Sequence, residues 1–547
     1  MITDLKINEE QKQLYYERGW WRDETIADVW AKQAACHKDK TFVTDDQGTS
    51  LTYKRIDEVS NAVAAWLVSV GIRPGDVVTF QLPTWAEFCP VFIGVAKVGA
   101  VMHPVARNYS ECDLAYIMNK VGTRAFICPT YHHTTDHERQ ALACAADVET
   151  LAEDRILFVR KAGPKPTCGA PTLEGLAAGN IPAFEALPAN ADDVAVILST
   201  SGTTGKPKQA LLTHNNILFS ERAFVGGLPV DADDVMFMPS PLNHATGFFH
   251  GIISPLLLGA STVLQQDFKA DAAIELINKH GCTWSMGATP FIFDMLGSME
   301  SNATSIPSLA LYLSGGAPLP GTLVSCARAH GITLCECYGS TESCPHIYVP
   351  PKMCAEWNGT WSGTTLEGIE IRIVDEKRQP VAPGVQGEEA SRGPNVFVGY
   401  LNDPEQTDAV LDDEGWFYSG DLATIDEEGR VRINGRKKEI VVRGGENIST
   451  REVDEAVSAW DGIVDQATIG APDDRMGERI CLFAVANKAL PEAPALSNLL
   501  DFLKAQGVSK RLWPERLELV DEIPRTATGK VQRFKLSEEL KRRMAQE

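Results

Sequence analysis

The chain has 547 residues, 44% of them hydrophobic and 23% charged, with a formal net charge of −22 at neutral pH. That length exceeds what one hydrophobic core usually supports, so two or more structural units are expected, and the composition is that of a soluble globular protein. The acidic balance argues against a general binder of nucleic acid or anionic membranes, since both would be repelled at long range.

The N-terminus lacks a basic stretch followed by an apolar one, and the most apolar run, residues 88–105, is interrupted by Lys97 and His103. No transmembrane segment is predicted, and a cytoplasmic protein is expected. From residue 41 to 196, apolar strands such as 77–82 alternate with amphipathic stretches such as 56–70. This predicts α/β layers around a mostly parallel sheet, and the pattern resumes over 235–334. The Pro/Gly-rich region 163–188 reads as an irregular surface excursion. Between Gly363 and Tyr418 short alternating strands, for example 369–374, predict a compact, β-barrel-like unit. After a strand at 431–434, the charged Gly435-Arg-Lys-Lys-Glu439 reads as a short exposed connection. A helix over 451–460, capped by Ser449 or Thr450, then opens a fresh unit. The expected division is 1–435 and 436–547, the second part being large enough for a small independent α/β domain.

Thirteen cysteines without a repeating spacing predict free thiols. Cys335-Glu-Cys337 is a close pair, but metal binding would need a second pair, so a core or pocket-wall role is expected. His132, His133 and His137 read as a surface loop for the same reason.

The densest chemistry lies in Leu198-Ser-Thr-Ser-Gly-Thr-Thr-Gly-Lys-Pro-Lys-Gln209. A short buried strand at 194–198 leads into it, and Gly202 and Gly205 then allow a tight loop whose N–H groups converge on oxyanions. Ser201, Thr203 and Thr204 add hydroxyl donors, while Lys206 and Lys208 add positive charge. It is not a Walker A loop, because Pro207 follows the first lysine where Ser or Thr is needed and no helix follows. A plain surface turn rich in Gly, Ser and Thr is the competing reading.

Three later segments accompany it: Tyr338-Gly-Ser-Thr-Glu-Ser343, then Tyr418-Ser-Gly-Asp421 through Gly435-Arg-Lys-Lys-Glu-Ile-Val-Val-Arg-Gly-Gly-Glu-Asn447, and Pro524-Arg-Thr-Ala-Thr-Gly-Lys530. In order and spacing the four segments resemble the adenylate-forming superfamily of acyl-CoA synthetases, adenylation domains and luciferases. The resemblance covers nearly the whole chain. Pro241-Leu-Asn-His-Ala-Thr-Gly-Phe248, Ala390-Ser-Arg-Gly-Pro-Asn-Val-Phe397 and Gly444-Gly-Glu-Asn-Ile-Ser449 look most like bacterial short- and medium-chain fatty-acyl-CoA synthetases and alicyclic acid–CoA ligases.

The resemblance implies a large N-terminal AMP-binding domain, a small mobile C-terminal domain and an active site in the cleft between them. It further implies AMP-forming ligation of a carboxylic acid to CoA with ATP and Mg²⁺, through an acyl-adenylate. The residues Thr200, Ser201, Gly202, Thr203, Thr204, Gly205 and Lys208 would hold the β- and γ-phosphates, with Gln209 departing from the family's usual Gly. Glu342, with Thr203, would serve Mg²⁺, and Thr341 would contact the α-phosphate. Tyr338 and Gly339, with Gly315, Gly316 and Ala317, would enclose the adenine. Asp421 would accept from the ribose hydroxyls, with Arg436 as a second contact to ribose or phosphate. Lys530 would bridge the attacking carboxylate and the α-phosphate.

His244 would stand between the nucleotide and acyl sites, the alternative being a buried structural histidine, and Phe248, Phe249, residues 286–290, Ser314 and Gly315 would wall the acyl pocket. Gly444 and Gly445 would admit the pantetheine arm of CoA, and Lys438 falls at the family's hinge position. The same ligation on a cyclohexanecarboxylate- or benzoate-like acid is an alternative. Transfer of the acyl group to a carrier protein is another, although no carrier domain is expected beyond Lys530. The expected partners are small molecules without nucleic acid, and a homodimer is compatible with the sequence.

Overall fold

The computed structural model describes residues 2, 5–200, 207–316, 319–437, 439–443, 446–473, 476–490, 493–526 and 529–545. Its fold is mixed α/β, and the chain packs into two compact units. The first comprises Met1–Glu370 and Ser391–Phe417, and the second Ile371–Ala390 and Tyr418–Glu547.

Two large sheets organise the first unit. One has nine strands in the order Thr364–Thr365, Ile347–Tyr348, Thr333–Tyr338, Leu311–Gly315, Trp284–Ala288, Val235–Met238, Ser261–Leu264, Thr41–Asp45 and Ser50–Thr52. Its centre is parallel and both ends are antiparallel. The other has six strands in the order Lys208–Thr213, Val194–Thr200, Val101–Pro104, Val77–Phe80, Thr123–Pro129 and Ile156–Val159. All neighbours in it run parallel except the first pair. Parallel strands buried on both faces read as continuous apolar runs, and Val77–Phe80 is buried at every position.

The helix predicted over 56–70 spans Tyr53–Ser69. Thr52 caps it by accepting the Arg55 N–H at 3.1 Å, which satisfies one of the orphan donors of the first turn. Its buried Ile56, Val59, Val63 and Leu67 recur at helical spacing and enter the main apolar core, alongside Trp30 and Trp284. Burial of each such side chain contributes about 1.5–3 kcal/mol.

Glu370–Val374, Gly387–Arg392, Phe417–Ile425 and Val431–Arg436, largely in the second unit, form a four-stranded sheet whose first two strands lie in the stretch 363–418 read as a barrel-like β unit and whose last two extend past it. A five-stranded sheet follows, with Gly477–Ala486 between Ile440–Arg443 and Ile463–Asp473 and parallel to Arg516–Val520. Alternation decides its packing. Cys481 and Phe483 face Leu536 and Leu540 of the helix Arg533–Met544, whereas Leu482 and Ala484 face Val457, Leu499 and Leu503.

The helix expected over 451–460 is shorter, Thr450–Val457. Ser449 occupies the cap position without capping, because its hydroxyl donates instead to the Asn434 carbonyl at 2.9 Å. His137 corrects the surface-loop reading of the histidine group, since it is buried at the start of the helix His137–Asp147. Among the described residues no helix is long and apolar enough to cross a membrane.

Candidate active site

The strand Val194–Thr200 continues past the predicted 194–198 and pairs antiparallel with Lys208–Thr213, Thr200 lying opposite Lys208. The described residues that follow the connection are therefore a strand, Lys208–Thr213. Ser201, Gly202, Thr203, Thr204, Gly205 and Lys206 lie outside the described residues. Gln209 fits this frame: its side chain is fully buried and accepts the Ser199 hydroxyl across the hairpin at 3.0 Å.

The opposite edge of Lys208–Thr213 meets the segment around Tyr400. Ala210 bridges Tyr400, and the Leu211 N–H donates to the Gly399 carbonyl at 2.9 Å. Gly399 holds φ +123°, and a Cβ there would approach the Thr407 side chain to 3.2 Å, so glycine suits the position sterically. This geometry puts the Lys208 ammonium 4.5 Å above the Tyr400 ring. The Tyr400 hydroxyl donates to Glu342 Oε1 at 2.7 Å. Burial, together with the Glu342 charge, pushes that hydroxyl well above the usual phenol range and keeps it a donor. Lys208, Tyr400 and Glu342 thus form one connected group.

Glu342 stands just beyond the C-terminal end of the strand Thr333–Tyr338. Its carbonyl accepts the Phe397 N–H at 2.8 Å, and the buried Ser343 accepts from Asn395 Nδ2 at 3.1 Å. Thr341 is half-buried beside it. Tyr338 is half-buried and meets the His346 ring at 5.0 Å. A side chain at Gly339 would come within 3.0 Å of the Pro345 Cα and the Ser343 carbonyl. The neighbouring parallel strand ends at Gly315, which pairs with Cys337, and Gly316 follows with φ +86°. Both glycines therefore lie at the C-terminal edge of the sheet beside Tyr338, where ligands bind in open α/β sheets. Ala317 lies outside the described residues.

His244 is half-buried, two residues before the π-helix Thr246–Ile253, and its Nδ1 accepts the Thr246 N–H at 3.2 Å. Phe248 is fully buried against Phe88 and Phe92, at 5.2 and 5.3 Å between ring centroids. Thr289 and Ser314 face each other at 3.0 Å between hydroxyls.

In the second unit Asp421 and Arg436 are register partners, with Arg436 Nε 2.9 Å from Asp421 Oδ1. Asp421 is buried and Arg436 is exposed. Gly420, at φ +74°, donates its N–H to Glu388 at 3.1 Å and turns the chain immediately before Asp421. Lys530 is exposed in a tight turn. Its N–H donates to the Thr526 hydroxyl at 3.1 Å, its carbonyl accepts the Thr526 N–H at 2.8 Å, and Gly529 has φ +80°. Gly444, Gly445 and Lys438 lie outside the described residues, between or beside strands in which Arg443 pairs with Glu446.

Residues 30–401 match the AMP-binding enzyme family, and residues 452–530 match the AMP-binding enzyme C-terminal domain. The chain belongs to the AMP-binding enzyme family. The medium-chain fatty-acid–CoA ligase of Escherichia coli (strain K12) is 39% identical over 547 residues, covering 100% of this chain and 96% of the relative. A feruloyl-CoA synthase of an Amycolatopsis species is 30% identical over 485 residues, covering 88% and 93%. The crystal structure of ATP-bound MatB from Rhodopseudomonas palustris superposes with a TM-score of 0.83 at 28% identity, covering 94% of this family member and 98% of that chain.

Tyr400 is the functional candidate that sequence reasoning did not single out. Its one local signal is the preceding Gly399, while its reach to Glu342 and Lys208 is purely tertiary.

Proposed function

We propose that this family member is an AMP-forming carboxylate–CoA ligase acting on a short- or medium-chain fatty acid with ATP and CoA. The observation that supports the reading is the Lys208–Tyr400–Glu342 group beside the C-terminal edge of the nine-stranded sheet, because an ammonium and a fixed carboxylate held together suit the binding of phosphates and their metal ion. The acid class rests on the similarity to the fatty-acid–CoA ligase. ATP as the nucleotide is supported by the similarity to the ATP-bound structure.

Glu342 fits a Mg²⁺ ligand: Tyr400 engages one of its oxygens, and the other makes no hydrogen bond among the described residues. Carboxylate oxygen is a suitable hard ligand for this ion, which supplies charge neutralisation on the phosphates when bound. Thr203 is proposed as its companion. In the first half-reaction an acid oxygen attacks the α-phosphate and pyrophosphate leaves. Lys208 and the 200–205 hydroxyls and N–H groups would stabilise the departing charge, and Lys530 the charge developing between acid and α-phosphate. Tyr338, Gly315, Gly316, Ala317 and Gly339 are proposed for adenine, and Asp421, oriented by Arg436, for the ribose hydroxyls. In the second half-reaction the CoA thiolate displaces AMP, with Gly444 and Gly445 proposed for its pantetheine arm and residues 436–547 as the mobile part.

The test is product formation over a panel of linear, alicyclic and aromatic acids, with and without CoA. AMP and acyl-CoA formed fastest with C4–C12 linear acids supports the reading. Preference for a cyclohexanecarboxylate- or ferulate-like acid reassigns the substrate, and AMP release without CoA consumption overturns the ligase.

A further inference from the structure

Among the described residues one pair of thiols is in direct contact: Cys335 Sγ and Cys354 Sγ are 3.1 Å apart. Both side chains are buried, and both thiols are free. Cys335 lies in the strand Thr333–Tyr338, three residues before Tyr338, and Cys354 follows the helical turn Pro351–Met353. Arg328 Nη2 holds the second partner in place by donating to the carbonyls of Cys354 at 2.8 Å and Trp357 at 2.7 Å.

The two thiols differ in character. Hydrogen bonding with Cys335 holds the Cys354 thiol below its ordinary range, and the Arg328 charge favours the same thiolate against the cost of burial. Cys335 is raised by the same contact and by its own burial. Cys354 is therefore favoured as the thiolate of the pair, with Cys335 in direct contact as the thiol that can close a disulfide.

We propose that Cys335 and Cys354 form an oxidation site at which a hydroperoxide converts the dithiol to a disulfide. The Cys354 thiolate attacks the terminal peroxide oxygen, forming the S–O bond and breaking O–O, and the alkoxide leaves and takes up a proton as alcohol, or as water if the oxidant is hydrogen peroxide. Cys335 then attacks the Cys354 sulfur, expelling the sulfenic oxygen as water as its own thiol loses its proton. Two electrons pass from the two sulfurs to the peroxide, and nothing else is consumed. The closed loop spans residues 335–354 and so encloses the whole of Tyr338-Gly-Ser-Thr-Glu-Ser343.

The exposed Cys36, Cys112 and Cys168 are controls for indiscriminate oxidation. The full chain, freed of reductant, is treated with hydrogen peroxide, its remaining thiols are alkylated, and it is digested with trypsin. Cleavage after Arg328, Lys352 and Arg372 places Cys335 in 329–352 and Cys354 in 353–372. The expected result is a cross-link between these peptides, assigned by fragmentation to Cys335 rather than Cys337 or Cys344. It vanishes on reduction and in Cys354→Ser, and it persists when all three exposed cysteines are replaced by Ser. The proposal is overturned if both thiols remain alkylatable after peroxide has oxidised the exposed ones, or if the cross-link joins a different pair. The wild-type digest alone decides between these results should Cys354→Ser not fold.

Discussion

Glu342 and Lys530 differ in the length of chain that builds their surroundings. Tyr400 reaches Glu342 from 58 residues away, and the strand Lys208–Thr213 must lie alongside Gly399 and Tyr400 before Lys208 can join the group. The backbone hydrogen bonds of Lys530 are local, running to Thr526 four residues earlier and next to the positive φ of Gly529. A carboxylate fixed by tertiary contacts holds one geometry and is coupled to folding. An ammonium on a short exposed turn can be removed at little cost to the fold, so chemistry and stability separate differently in the two regions.

The sharpest break of this comparison is Lys530→Ala. Single-turnover pyrophosphate release should fall about a thousandfold, the upper range for removing one electrostatic contact to a transition state. Thioester formation from supplied acyl-adenylate and the thermal midpoint should stay near wild type. Adenylation at near wild-type rate in this variant removes Lys530 from the chemistry.

Glu342→Gln keeps an acceptor for the Tyr400 hydroxyl while removing the charge. Adenylation should drop about a hundredfold, about 2.7 kcal/mol of transition-state stabilisation. A titration with Mg²⁺ should show a raised half-saturating concentration, and an unchanged metal dependence would exclude Glu342 as the ligand.

Tyr400→Phe retains the ring beneath Lys208 and deletes only the hydroxyl. Loss of a hydrogen bond to a charged group costs about 1.5–3 kcal/mol, so both the urea midpoint and adenylation should fall, the rate by about tenfold. A lowered rate with an unchanged midpoint would show that the hydroxyl meets substrate rather than holding Glu342.

The smallest effect at neutral pH concerns the first unit alone. His214 is buried, and its Nδ1 accepts the Ile26 N–H at 3.2 Å. Burial lowers its pKa to about 4. An unfolded histidine titrates near about 6.5, so between these values the unfolded state binds the extra proton. This contribution is complete above the unfolded pKa and is lost as pH falls through 6.5 toward 4, at up to about 1.4 kcal/mol per pH unit. Urea midpoints at pH 7 and pH 5 should differ by less in His214→Gln than in wild type, and an equal pH slope would refute the assignment.

What the sequence determined by itself was whatever depends on neighbouring residues: strand and helix periodicity, the turn that presents Lys530, the glycines at 315 and 316, and the ordered motifs that mark the family. Local sterics and alternation set these before any long-range packing. Tertiary structure decided which side chains meet. No spacing rule brings Tyr400 to Glu342 or Cys354 to Cys335, or turns the Ser449 hydroxyl from capping its helix toward the Asn434 carbonyl. Each of these contacts depends on strand order and register, and those follow from burying the apolar faces of distant elements together.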